Sequence, residues 1–68
     1  MRLKEKEQIV NDYFDITKRL VEKHGKDKLR PDYFDFIVDR IMGWFPADCV
    51  EISIMLKDKL NSELGFNI

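Results

Sequence analysis

The sequence predicts an all-α protein, a small three-helix bundle with helices over about 3–24, 31–44 and 47–64. Three observations carry that reading. Apolar residues recur at helical spacing through three segments, with polar residues on the opposite faces. Gly25, Pro31, Pro46 and Gly65 fall at or beside the ends of those segments, where helices stop and start. One stretch, Val50 to Ile54, alternates like a strand, but nothing else in the chain offers it a partner strand.

In the first segment Leu3, Ile9, Val10, Tyr13, Phe14, Ile16, Leu20 and Val21 gather on one side of a wheel drawn at ~100° per residue. Gln8, Asn11, Asp12, Asp15, Lys18, Arg19 and Glu22 fill the other side. Glu5 and Glu7 stand near the start and Lys23 near the end, where the helix dipole favours each sign. Gly25 is placed to be a left-handed residue just past the last turn.

Lys26 to Arg30 reads as a polar connection, after which Pro31 suits the first position of a second helix. There Tyr33, Phe34, Ile37, Val38, Ile41, Met42, Trp44 and Phe45 sweep about half the circumference, wider than the ~100° stripe of a surface helix. So broad a face predicts contact with both neighbours. Phe36 lies outside the arc, among Asp32, Asp35 and Asp39, and is the aromatic expected to be exposed.

Gly43 to Pro46 interrupts the chain, because proline disfavours helical geometry at the residue before it. A third helix then begins at Pro46 or Asp48, where Asp48 and Glu51 have capping-box spacing. Cys49, Ile52, Leu56, Leu60 and Leu64 form its main stripe. Gly65 is the expected stop, with Phe66 folding back onto Leu60.

A chain of 68 residues has room for one domain, spanning 1–68, and a modest core. At 44% hydrophobic residues it carries enough apolar surface to fold despite 37% charged residues. No apolar run approaches the ~18 residues that span a bilayer, and the N-terminal MRLKEKEQ lacks the apolar stretch of a signal peptide. The expectation is a cytoplasmic protein with a reduced thiol at Cys49 and no membrane association.

Chemistry has few places to reside. Cys49 falls near a helix N-terminus, where backbone N–H groups lower a thiol pKa, but the single imidazole, His24, ends a different helix and nothing in the sequence joins them. Cys49 therefore reads as a small core residue. Asp32, Asp35 and Asp39 share a helix face, as do Asp12 and Asp15, yet the Glu-x-x-His pattern of bundle metal sites is missing. These observations predict no enzyme, no cofactor and no metal.

Charge is unevenly spread. Lys18 to Arg30 carries six basic and two acidic residues, whereas Pro31 to Ile68 carries three basic and seven acidic. A basic patch of Lys23, Lys26, Lys28 and Arg30 is the alternative reading, a nucleic-acid or phosphate contact. It contains no aromatic to stack on bases, and the net charge of −1 is unlike that of a general nucleic-acid binder. A helix-turn-helix made of the second and third helices would present Asp48 and Glu51 to phosphates, the wrong sign.

The apolar surplus points elsewhere. Val50 and Ile54 face away from the Cys49, Ile52 and Leu56 stripe, and Met55 occupies a third side. With Phe36 and the Trp44/Phe45 turn they are more apolar groups than a three-helix monomer of this size comfortably hides. Either the first helix covers that second face and the third helix is a well-buried central one, or another chain covers it, since exposed patches of that kind mark interfaces. The sequence thus predicts a small non-enzymatic interaction or regulatory module. It would bind another protein, or itself as a homodimer, through Phe36, Trp44, Phe45, Val50, Ile54 and Met55.

Overall fold

The computed structural model describes residues 1–68 and forms three helices with no strand: α1 over Leu3–His24, α2 over Tyr33–Trp44 and α3 over Cys49–Leu64, with one 3-10 turn at Lys26–Lys28. Lys6 on α1 meets Glu51 on α3, and farther along both helices Asn11 meets Lys59, so α1 and α3 run parallel. The short turn between α2 and α3 makes α2 antiparallel to both. Both α1 and α2 pack on α3, and they approach each other much less closely.

The core is thin. Val10 and Phe14 of α1, Ile37 and Ile41 of α2, and Ile52, Leu56 and Leu60 of α3 are its buried apolar members. The last three are the central part of the predicted stripe. Thr17 is buried with them, and it stays hydrogen-bonded: its hydroxyl donates to the Tyr13 carbonyl at 2.9 Å. One hydroxyl has one proton, so the 2.8 Å contact between Thr17 Oγ1 and Tyr33 Oη must be donated by the tyrosine. That two-bond chain ties α1 to α2 at one end.

Two helix starts fall two residues later than the sequence suggested, for the same reason. Pro31 does not open α2; it occupies the second position of a turn closed by Tyr33 N–H to the Arg30 carbonyl at 3.0 Å. Pro46 repeats the arrangement, with Asp48 N–H reaching the Phe45 carbonyl at 3.1 Å. Fixed φ suits proline to that turn position as well as to a first helical turn. The expected capping box at Asp48 and Glu51 is also absent as a cap. Both carboxylates point instead at Lys6 Nζ, at 3.7 and 2.6 Å.

The ends of α1 and α3 are set by the two glycines with positive φ. Gly65, at φ 69 and ψ 26, is left-handed, and both its own N–H and that of Phe66, the latter at 3.3 Å, return to the Leu60 carbonyl, a wider closure than the expected Schellman-type stop. Phe66 then packs on the core. Gly25 has positive φ too, but its ψ of 147 takes the chain out extended rather than left-handed. Lys26 Nζ donates to the Gly65 carbonyl at 3.1 Å, fastening the α1–α2 connection to the end of α3. No helix is long and apolar enough to cross a membrane.

Candidate docking groove

The loose approach of α1 to α2 leaves an open groove of about 500 Å3 between them. Each wall is a stripe of one helix. Ile9, Tyr13, Ile16 and Leu20 of α1 follow one another at intervals of four, three and four residues, as do Tyr33, Ile37, Arg40 and Trp44 of α2. That spacing keeps side chains on one seam and is the pattern by which helices interlock in bundles. Phe36 and Phe45 widen the α2 wall.

The seam on α1 is distinct from the one buried against α3. Val10, Phe14 and Thr17 are buried in the core, and the groove stripe, whose Ile9 and Tyr13 still pack on the core's edge, lies about 100° round the helix from them. The predicted breadth of the α2 arc has a parallel outcome: Ile37 and Ile41 reach the core, while Trp44 projects 72% exposed. The expected contact of α2 with both neighbours is therefore realised closely on α3 and more loosely on α1, where Tyr33 bonds Thr17 and Ile37 and Ile41 share the core with Val10 and Phe14. Phe36 is exposed as anticipated, at 54%, and Ile16 stands across the groove at 50%.

Polar groups are few here. The Arg40 guanidinium lies 5.8 Å from the Phe36 ring centroid, a cation–π distance. Asp12 accepts a hydrogen bond from Gln8 Nε2 at 2.9 Å. Neither makes an ion pair, whereas Lys6, Arg30 and Lys59 all do. The groove is thus lined by aromatics, aliphatics and one unpaired charge of each sign.

The six residues singled out in the sequence do not share one surface. Phe36, Trp44 and Phe45 line the groove. Val50 and Ile54 are exposed, at 70% and 55%, but two residues from Ile52 they face away from the core and are not part of the groove. Met55 is half-buried against the core. The groove residues on α1 were not singled out, although the 4-3-4 spacing of Ile9, Tyr13, Ile16 and Leu20 is visible in the sequence.

The basic residues are partly engaged. Lys26 is held by the Gly65 carbonyl, and Arg30 pairs with Asp32 at 3.1 Å, leaving Lys23 and Lys28 exposed without an ion pair. Cys49 is half-buried, its Sγ 3.5 Å from the Pro46 carbonyl, near one end of the bundle. His24 is exposed at the far end of α1. No three His, Cys, Asp or Glu side chains converge as a metal site would require. The one resolved pKa shift lies outside the groove: Lys6 is raised above its ordinary value, chiefly by its hydrogen bond to Glu51, with the charges of Glu51 and Asp48 adding and burial opposing.

No protein-family model, curated protein or solved structure matches the chain.

Proposed function

We propose that the chain is a non-enzymatic interaction module, regulatory in kind, that takes a protein helix into the groove between α1 and α2. The observation that carries this reading is the groove itself, whose walls expose Trp44, Phe36 and Ile16 around a buried Ile37 floor. An amphipathic helix laid in such a groove buries apolar side chains on both walls at once. The compartment proposed is the cytoplasm, where the thiol of Cys49 would stay reduced. The basic segment supports nucleic-acid contact less well, because Lys26 and Arg30 already have partners within the chain.

Site-specific photo-crosslinking in the native host tests the proposal. A crosslinker placed at Ile16 should capture protein, and one placed at exposed Asp58 on α3 should not. Equal capture from both positions, or none from Ile16, would contradict it.

A further inference from the structure

We infer that the groove is closed by a second copy of this chain, packed groove to groove about a twofold axis that runs along it. The inference rests on the docking reading above and names its partner. Three features of the groove are self-complementary, which is what a twofold interface demands.

The first is the spacing. A twofold axis parallel to the helices sets α1 of each copy against α2 of the other without changing height, so two 4-3-4 stripes meet two 4-3-4 stripes. Because α1 and α2 are antiparallel, every neighbouring pair among the four helices is then antiparallel, the arrangement of an up-down four-helix bundle. The second is charge. Tyr33 meets Thr17, so seven residues on along α2 and seven back along α1 bring Arg40 level with Val10, within ~3 Å of the height of Asp12 at 1.5 Å per residue. Asp12 of one copy thereby stands at the level of the partner's Arg40, and each supplies the ion pair the other lacks within its own chain.

The third is area. At ~150–250 Å2 per aromatic side chain, Trp44 and Phe36 at 72% and 54% exposure offer about 300 Å2 between them. Ile16, at 50% exposure, adds to that face, and the three side chains together supply roughly half of the ~800 Å2 per partner of a standard interface. By comparison, Val50 and Ile54 on the back of α3 form a small aliphatic patch without an aromatic.

The test is solution mass by sedimentation over a wide concentration range, read alongside the fluorescence of Trp44, the single tryptophan. The wild type should double in mass, and the Trp44 emission should shift to the blue and lose iodide quenching with the same midpoint. Asp12→Arg or Arg40→Asp alone should weaken association about tenfold or more, since symmetry repeats each like-charge contact twice. The double variant should restore it, and circular dichroism checks that each variant folds. Ile54→Asp should leave the dimer intact. A monomer at every concentration overturns the inference, as does a dimer indifferent to both reversals or broken by Ile54→Asp. A monomer that still crosslinks to another protein from Ile16 removes self-association and leaves the docking reading standing; a monomer with no crosslink removes both.

Discussion

Replacing Trp44 with alanine should cost the isolated chain little, although it deletes the largest side chain present. At 72% exposure, about 60 Å2 of the indole is covered, worth at most ~1.5 kcal/mol at ~25 cal/mol per Å2, and less against a realistic unfolded chain. Leu56, at 0% exposure, is the opposite case: alanine there removes buried methyl groups and leaves a cavity, for ~2–5 kcal/mol. A chain of 68 residues has roughly 3–10 kcal/mol of stability in all, so Leu56→Ala removes a large part of it and Trp44→Ala does not. Urea unfolding followed by far-UV circular dichroism in dilute solution measures both, with Ile52→Val (~0.5–1.5 kcal/mol) as a milder core probe if Leu56→Ala loses its folded baseline. A Trp44→Ala cost equal to that of Leu56→Ala would refute the reasoning, because the indole would then be packed inside the monomer and the groove closed by the chain itself.

Tyr33→Phe removes the hydrogen bond to Thr17 that joins α1 to α2, and should cost ~0.5–1.5 kcal/mol in the same unfolding assay; no loss would mean that the bond is not formed in solution. Gly65→Ala should destabilise by ~1–2 kcal/mol from its left-handed backbone alone, since the added carbon meets only Lys26 Nζ at 3.5 Å, whereas Gly43→Ala, with open space around it inside α2, should stabilise by ~0.5–1 kcal/mol. Lys6 has a folded pKa raised above 10.5, so its contribution is complete at lower pH and is lost as pH rises through the folded value. The stability advantage of wild type over Lys6→Met should accordingly hold at neutral pH and shrink above pH 10.5; an advantage unchanged to about pH 12 would contradict the pairing with Glu51.

The helices were legible because periodicity depends only on residues close in sequence. Ile52, Leu56 and Leu60 could be placed on the core stripe of α3, and Phe36 outside the arc of α2, without knowledge of any neighbour. Helix starts were less legible, since proline fits both a first helical turn and the second position of a β-turn, and only the hydrogen bonds to the Arg30 and Phe45 carbonyls distinguish them. Lys6 reaching Glu51 across 45 residues, and Asp48 beside it, is beyond any local pattern. The groove was half visible. Trp44, Phe45 and Phe36 stood out as aromatics, but the stripe on α1 merged with the core stripe beside it, and whether two adjacent apolar stripes both find cover is decided by how α1 and α2 are splayed on α3. Thr17 was missed because a threonine is not expected in a core; its hydroxyl is tolerated there by the Tyr13 carbonyl and the Tyr33 hydroxyl.

In the single chain α1 and α2 leave an apolar face uncovered. Isotope-labelled isoleucine methyl groups, observed by NMR in dilute protein with a soluble paramagnetic probe, test it directly. Ile16 should relax as strongly as Ile54, while Ile37, Ile41 and Ile52 stay protected. An Ile16 methyl as protected as that of Ile41 would show that α1 and α2 pack against each other and that there is no groove to fill.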